Sequence, residues 1–245
     1  MVKIITRLPM TLKRATISSM KNGEGQLAEI YLDSGGRLIC PPEFVPAPGQ
    51  YLLAHAFASD SPLATPIFFS ESSPDGFRSA PPLPSEWNPG SRLYIRGPLG
   101  RGFTLPTSAR HVALVAFDRS PARLRGLIPL ALKQDASIAL VSESVPEDLP
   151  EEVEVQPLRS FEEISHWADY IAFDVARESL SELLEKLGGK NQLPTKFEAQ
   201  VLVRAPMPCG ALAECGVCAL VVRHDWLMVC KHGPVFELSE LQGTA

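Results

Sequence analysis

Four of the five cysteines in this chain lie between positions 209 and 230, and this group limits what the C-terminal segment can fold into. They are Cys209, Cys215, Cys218 and Cys230, with the spacing C-x5-C-x2-C-x11-C. Three ligands on one short loop, with a fourth arriving from a more distant segment, come close to the spacing of plant-type two-iron clusters. The sequence therefore predicts a metal centre, and a [2Fe–2S] cluster bound by these four thiolates is the first interpretation.

Zinc and uncoordinated thiols are the two alternatives for these cysteines. A structural zinc site usually draws its ligands from two paired knuckles, and this segment contains a single C-x2-C. Disulfides are rare in reducing compartments, which makes a covalent staple the weaker explanation. Cys40 stands far from the group and is predicted to be a small buried hydrophobic residue.

Two histidines and three basic residues lie close to the cysteines in the sequence. Because four cysteines already complete a ligand set, His224 is predicted to be a turn residue and His232 a solvent-facing neighbour of the last ligand. Arg204, Arg223 and Lys231 would each raise the reduction potential of a cluster if they lay near it.

The chain before position 110 is predicted to be an antiparallel β-barrel. Short β-type runs such as "RATISSM", "LAEIYL", "QYLLAHAF", "TPIFFSE" and "SRLYIRG" alternate with turn signals such as "DSGG" and "NPG". Runs punctuated in this way are typical of small barrels or sandwiches.

From His111 onward the pattern changes to an α/β layer. "HVALVAF" and "SIALVSE" are nearly continuous apolar runs, as expected for parallel strands that are covered on both faces. The segments "SPARLRGLIPLALKQ" and "RESLSELLEKLGG" are predicted to be helices, the first weakened by Pro129 and the second capped by Gly188 and Gly189.

The last segment is predicted to be a separate unit. Its runs "CALVVR" and "WLMVC" are joined by His224 and Asp225, which would form a hairpin that returns Cys230 towards Cys218. The fold class is therefore α+β with three domains: a barrel over 1–109, an α/β nucleotide-binding-like domain over 110–206, and a [2Fe–2S] cluster domain over 207–245.

Length, charge and composition exclude several classes of protein. A chain of 245 residues with 45% apolar residues can bury one or two ordinary cores. The first residues break every apolar run with a charge or a proline, so neither a signal peptide nor a membrane span is expected, and the protein is predicted to be cytoplasmic. A net charge of −5 without a basic run argues against a nucleic-acid partner.

Three motifs resemble a known family. "CG" followed by "CGVC" and "VCKHGPVF" resembles the electron-transfer subunit of the heterotetrameric bacterial dihydroorotate dehydrogenases, which are ferredoxin-reductase-like iron–sulfur flavoproteins of pyrimidine biosynthesis. "RGPLGRGF" (96–103) and "PGQYL" (48–52) are similar to motifs of the same family. The resemblance covers the whole chain and implies a flavin barrel, a nucleotide-binding domain and a two-iron cluster loop, in a divergent member.

The chain departs from this family at two places. Where the family has an arginine and a serine that hold the flavin and its phosphates, this sequence has Thr65 and Phe68. Threonine cannot supply the planar fork of donors that arginine offers to a phosphate. FAD binding is thus left open but weakened.

The second departure lies in the nucleotide-binding domain. Phe117 and Asp118 replace glycines of a turn that would let the backbone approach a pyrophosphate, so NAD binding is not expected. Asp118 or Ser120 is predicted to cap the following helix. Three arginines on this helix could attract an anion but are predicted to form a solvated face, namely Arg119, Arg123 and Arg125.

The leading interpretation is an electron-transfer subunit that relays electrons between the flavin of a partner and a second redox carrier. The resemblance implies a catalytic flavoprotein subunit of the dihydroorotate dehydrogenase type as that partner, and leaves open a homodimer within a hetero-oligomer. No acid, base or nucleophile set for independent catalysis is found, and no catalytic residue is predicted. The alternative is a scaffold or regulatory subunit with a structural zinc site that has lost FAD and NAD binding.

Overall fold

The computed structural model describes residues 21–117, 120–146, 148–188, 197–222 and 225–241. The run "RATISSM", predicted to be a strand, lies outside these residues. None of the helices in the described part of the chain is long and apolar enough to cross a membrane.

Six strands close into an antiparallel barrel. They are β1 (Asn22–Ile30), β2 (Gly36–Ile39), β3 (Tyr51–Ala56), β4 (Thr65–Ser73), β5 (Gly76–Ser79) and β6 (Arg92–Leu99). Their order is β1-β2-β5-β4-β3-β6, and β6 pairs back with β1. The predicted barrel is confirmed. The sequence analysis missed β2 and β5, because each is only four residues long and contains glycine, arginine or serine instead of an apolar run.

Strand β3 separates the inside of the barrel from the rest of the protein. Leu52 and Ala54 belong to the core inside the barrel, whereas Tyr51 and Leu53 belong to a second core outside it. This follows from the alternation of side chains between the two faces of a strand. Tyr51 and Leu53 therefore face the C-terminal half of the chain.

A second sheet follows the barrel and is mostly parallel. Its elements in chain order are β7 (His111–Ala116), α1 (Ile128–Leu132), β8 (Ser137–Val141), β9 (Val153–Gln156), α2 (Phe161–Trp167), β10 (Tyr170–Ala176), α3 (Leu180–Lys186) and β11 (Glu198–Arg204). Strands β11, β10, β7, β8 and β9 lie side by side in parallel. Both faces of this sheet are buried, which explains the continuous apolar runs in its central strands.

The first predicted helix is shorter than expected. Two 3-10 turns, Pro121–Arg123 and Arg125–Leu127, precede α1. Pro129 lies in the first turn of α1, where its missing N–H costs no intrahelical hydrogen bond. Helix α3 ends as predicted, because Gly188 has a φ of 108° just after it, while Gly189 lies outside the described residues.

The C-terminal segment forms the predicted hairpin and then joins the second sheet. Its elements are β12 (Ala219–Val222), β13 (Asp225–Met228), α4 (Val229–His232) and β14 (Val235–Glu237). β12 and β13 pair in antiparallel fashion, with Ala219 opposite Met228. Cys230 lies in α4 and not in a strand. β14 pairs in antiparallel fashion with β11, so the C-terminal segment contributes a strand to the α/β sheet.

The three motifs of the resemblance meet in space. A Cβ on Gly100 would lie 2.4 Å from Cδ of Pro234, and a Cβ on Gly49 would lie 2.6 Å from Cγ2 of Val235. The backbone N–H of Arg101 donates to the carbonyl oxygen of Gly233 at 2.7 Å. The loop "GPLGRGF" is thus a tight connection that holds the chain just after the last cysteine, as its glycines allow.

Candidate metal centre

The loop between β11 and β12 carries three of the four cysteines, and the hairpin brings in the fourth. Gly210 has a φ of 47°, and a Cβ at this position would lie 2.2 Å from Cδ1 of Leu53. Glycine therefore lets the loop turn while its backbone lies directly against the barrel. The N–H of Val229 donates to the carbonyl oxygen of Cys218 at 3.1 Å, which fixes the start of α4 beside the loop.

The four sulfur atoms come together as two close pairs. The Sγ atoms of Cys209 and Cys215 are 3.5 Å apart, and those of Cys218 and Cys230 are 3.3 Å apart. The thiols of Cys209 and Cys230 also interact, which joins the two pairs. The hairpin therefore brings Cys230 to Cys218 as predicted, and ligation of one metal centre by all four cysteines stays a prediction.

This pairing bears on the kind of metal that the residues fit. Two sulfur ligands of one tetrahedral metal lie about 3.8 Å apart, since each metal–sulfur bond is about 2.3 Å long. Among the described residues, no three or more His, Cys, Asp or Glu side chains are placed to hold a single metal ion. The two sulfur pairs, at 3.5 and 3.3 Å, are each somewhat closer than the spacing at one tetrahedral metal. Four cysteine thiols are a donor set that iron–sulfur clusters and zinc both accept.

The pair deeper in the protein has strongly altered acidity. Contact with the Cys230 thiol lowers the pKa of Cys218 to about 6, although burial opposes this shift. The same contact, together with burial, raises the pKa of Cys230. The contact therefore makes it easier for the pair to lose its first proton and harder to lose its second, and the deprotonated thiolate is the form that ligates metals. Burial raises the pKa of the remote Cys40 to about 11, and this residue lies in the barrel core as predicted.

Two arginines from other domains hold the cysteine loop. The Arg96 guanidinium on β6 donates to the carbonyl oxygens of Cys209 at 2.8 Å and Gly210 at 3.0 Å. Arg177, just before α3, donates to the carbonyl oxygen of Val217 at 2.6 Å. The sequence analysis missed both, because no local signal links residues so far apart in the chain.

The structure gives other partners to two of the three basic residues that the sequence places near the cysteines. Arg204 pairs with Asp174 at 2.7 Å, Lys231 lies 3.6 Å from Glu214, and Arg223 is outside the described residues. The prediction that they raise a cluster potential stays a prediction.

The structure describes one of the two histidines for which a prediction was made. His224 lies outside the described residues. His232 is half-buried and its Nδ1 accepts the N–H of Met228 at 2.9 Å, so the predicted solvent-facing position is wrong. Burial lowers the pKa of His232, which favours the neutral ring that this hydrogen bond requires.

The cleft between the barrel and the α/β sheet is packed with protein side chains. Thr65 and Phe68, the residues at the family's flavin motif, lie on β4, where Phe68 and its neighbour Phe69 are buried. The turns before α1 lie directly on this strand, and a Cβ on Gly126 would be 2.6 Å from Cε1 of Phe69. Phe68 also stacks under the Arg123 guanidinium at 5.4 Å. Phe68, Phe69 and Arg123 thus lie where the resemblance implies a flavin, and FAD binding stays a prediction.

The arginines of these turns are buried, which corrects the predicted solvated face. Arg123 and Arg125 are only 8% and 7% exposed. Arg123 lies 3.4 Å from the buried carboxylate of Asp174, and Arg125 pairs with Glu71 of β4. The prediction was wrong because it had no means of seeing acidic partners that lie about 50 residues away in the chain. Arg119 lies outside the described residues.

Ion-paired side chains occupy the edge of the sheet at which a nucleotide would bind. Asp174 lies opposite Ala116 at the carboxyl ends of the parallel strands, the edge at which open α/β sheets take their ligands. Arg123 and Arg204 both pair with it. Ser120 caps the turn that follows β7 by accepting the N–H of Ala122, as predicted, whereas Asp118 is outside the described residues.

Comparison with solved structures identifies the fold. An NADH-dependent reduced ferredoxin-NADP oxidoreductase, studied for flavin-based electron bifurcation, superposes with a TM-score of 0.71 at 15% identity, covering 89% of this chain and 90% of that chain. The chain has a ferredoxin reductase-like fold.

Two further structures with this fold match less of the chain. A ferredoxin reductase of carbazole 1,9a-dioxygenase gives a TM-score of 0.60 at 13% identity over 76% of this chain and 70% of that chain. A ferredoxin NADP+ reductase from Neisseria gonorrhoeae with bound FAD and NADP gives 0.52 at 11% identity over 75% of this chain and 98% of that chain. At the sequence level, no family model and no curated protein matches. The comparisons therefore show the fold alone.

Proposed function

We propose that this protein is an electron-transfer subunit with a [2Fe–2S] cluster bound by Cys209, Cys215, Cys218 and Cys230. The observation that carries the proposal is the pairing of the four sulfur atoms at 3.5 and 3.3 Å on a loop fixed to the barrel. The reductase-like fold supports a redox role, since similar structures are electron-transfer enzymes by name.

The protein residues have distinct roles in this proposal. When bound, the cluster accepts and releases one electron at a time. The four thiolates hold it, Arg96 and Arg177 fix the loop, and the buried Cys218 and Cys230 lie against the barrel. No step of substrate chemistry is assigned to this chain.

The partner in this proposal supplies the flavin. Because the cleft at Phe68 and Arg123 is packed, electrons would come from a flavin of another subunit and leave for a second carrier, or pass in the opposite direction. A catalytic flavoprotein of the dihydroorotate dehydrogenase type is the proposed partner, on the strength of the cysteine and "HGPVF" motifs. A homodimer within a hetero-oligomer is part of the same proposal.

The exposed side of the cysteine loop offers the route for electrons. Cys215 is exposed, and two large apolar side chains, Leu212 on the same loop and Trp226 on β13, are each 63% exposed. Exposed apolar side chains rimmed by polar residues are typical of interaction sites. We propose that the partner docks on this side.

Electron paramagnetic resonance of the dithionite-reduced protein tests the proposal, together with an absorption spectrum of the protein purified without oxygen. We expect a signal of a reduced binuclear iron–sulfur cluster and visible absorption that bleaches on reduction. A colourless, signal-free protein without iron or sulfide would refute it.

A second function is favoured by one observation, the packed cleft. A chain that has lost its flavin and nucleotide sites could act as a scaffold or regulator, with a zinc ion holding the C-terminal loop. One zinc per chain in place of iron and sulfide would support this alternative. Bound flavin would contradict both functions as stated.

A further inference from the structure

Tyr51 lies on β3, on the face that points away from the inside of the barrel. Residues two apart on a strand point to the same side, so Tyr51 faces the same way as Leu53. Leu53 lies directly under the cysteine loop, where a Cβ on Gly210 would be 2.2 Å from its Cδ1. Arg96, opposite Leu53 on β6, donates to the carbonyl oxygen of Cys209. This face of the barrel is therefore the floor of the cysteine site.

Tyr51 is fully buried in the core that also contains Cys218 and Cys230. Its phenolic oxygen is buried too and has no hydrogen-bond partner in the protein. Buried hydroxyl groups are nearly always hydrogen-bonded, because leaving one unpaired loses the bonds it made to water. An unpaired hydroxyl beside a ligand set indicates that its partner belongs to the bound group.

The ring of Tyr51 lies 5.6 Å from that of Phe68, and Tyr51 is also close enough to the cysteines for their charges to affect its pKa. Burial raises its pKa, and the negative charges of Cys230, Cys218 and Cys209 raise it further, while Arg96 acts in the opposite direction. The hydroxyl is thus neutral and protonated at physiological pH. It is therefore available as a hydrogen-bond donor.

Resting on the proposed function, we infer that Tyr51 donates a hydrogen bond to a sulfur atom of the bound cluster and thereby raises its reduction potential. Reduction adds one negative charge to the sulfur–iron unit and transfers no proton from the tyrosine. The hydrogen bond becomes stronger as that charge increases, so it stabilises the reduced form more than the oxidised form. Tyr51 is a positioning residue that sets the potential.

Tyr170 provides a matched control. It is also a buried tyrosine on a strand, but its hydroxyl donates to Oε1 of Gln200 at 2.8 Å and so already has a partner. It belongs to the core on the other face of the α/β sheet, without any of the four cysteines. Removing its hydroxyl should leave the cluster untouched.

The experiment compares Tyr51→Phe, Tyr170→Phe and the wild-type protein, all purified without oxygen. Iron and sulfide content, the midpoint potential from a redox titration, and the Fe–S stretching bands in resonance Raman spectra are measured. We expect equal cluster content in all three, a lower midpoint potential and shifted Fe–S bands in Tyr51→Phe, and wild-type values in Tyr170→Phe.

The outcomes separate this inference from the proposed function. A wild-type potential and unshifted bands in a fully loaded Tyr51→Phe protein would overturn the inference and leave the electron-transfer role standing. Absence of iron and sulfide from the wild-type protein would overturn the role itself. If Tyr51→Phe loses its cluster, fluorotyrosine is incorporated into the Tyr170→Phe protein and the midpoint potential is measured there. A fluorinated tyrosine is a more acidic hydrogen-bond donor, so the inference predicts a higher potential. An unchanged potential would overturn the inference.

Discussion

The cleft between the barrel and the α/β sheet differs sharply from the cysteine loop on the outer face of β3. In the cleft, Phe68 lies under the Arg123 guanidinium and Gly126 lies against Phe69, at the position of the flavin motif that the resemblance implies. At the loop, four thiols converge and the hydroxyl of Tyr51 lacks a partner. The first place is filled by protein side chains, and the second presents four free thiols. The comparison shows that one fold can fill its cleft with side chains and still bring four thiols together on a loop beside the barrel.

The largest effect is expected from Cys218→Ser. Cys218 is almost fully buried and belongs to the deeper thiol pair, so its loss should abolish cluster absorption and loosen residues 207–241, because metal binding and local folding are coupled. Absorption spectra and hydrogen exchange measure the two effects. Cys40→Ser, in the barrel core, is the control and should change neither. A full cluster spectrum in Cys218→Ser would show that the ligands are misassigned.

The packed cleft is tested by Asp174→Asn. This change leaves two buried or half-buried arginines, Arg123 and Arg204, without their carboxylate, and breaking such a group costs about 3–5 kcal/mol. Urea unfolding measures the free energy. The exposed pair of Arg37 and Asp75 supplies the control, since Asp75→Asn should cost less than about 1 kcal/mol. If Asp174→Asn is as stable as the wild type, the ion pairs do not hold the cleft closed.

Arg96→Met tests how the barrel holds the cysteine loop. The change removes two hydrogen bonds from a charged donor to the carbonyl oxygens of Cys209 and Gly210 and should cost about 1.5–3 kcal/mol. We expect faster loss of iron to a chelator and faster hydrogen exchange in the loop. Arg92→Met, on the same strand but paired with Glu24 on the surface, should behave as the wild type. Equal rates of iron loss in both variants would contradict the role of Arg96.

The smallest effect is expected at Glu240, which pairs with Arg101 and ties the C-terminus to the loop after the barrel. Although partial burial opposes ionisation, hydrogen bonds from Arg101 and the Glu237 N–H hold the pKa of Glu240 below its ordinary value. Its stabilisation is therefore complete above the ordinary carboxyl pKa, about 4.3, and is lost as the pH falls through the folded-state value.

Glu240→Gln should accordingly lower the free energy of unfolding by less than about 1 kcal/mol at neutral pH, because the pair is half exposed. The difference from the wild type should vanish in acid. Denaturant titrations at several pH values measure it, and a difference that grows as the pH falls would contradict this assignment.

Sequence patterns predicted the features that depend on local spacing. The C-x5-C-x2-C spacing and the β-runs after Cys218 predicted convergence and the hairpin, because ligand loops and hairpins are formed by neighbouring residues. The barrel and the parallel strands followed from alternating and continuous apolar runs.

Features that depend on distant partners could not be predicted. Arg123 looks like a surface residue until Asp174 is placed beside it, 51 residues further along the chain. Arg96 lies 113 residues from Cys209, and nothing in the run "QYLLAHAF" indicates that Tyr51 faces the thiols. Such contacts arise when the barrel, sheet and loop pack together, so the orienting residues of the site appear only in the structure.

Iron, acid-labile sulfide, zinc and flavin assays on a single sample of protein purified without oxygen test the central claim most directly. The account predicts about two irons and about two sulfides per chain, with no zinc and no flavin. One zinc per chain without sulfide, or a stoichiometric flavin, would contradict it.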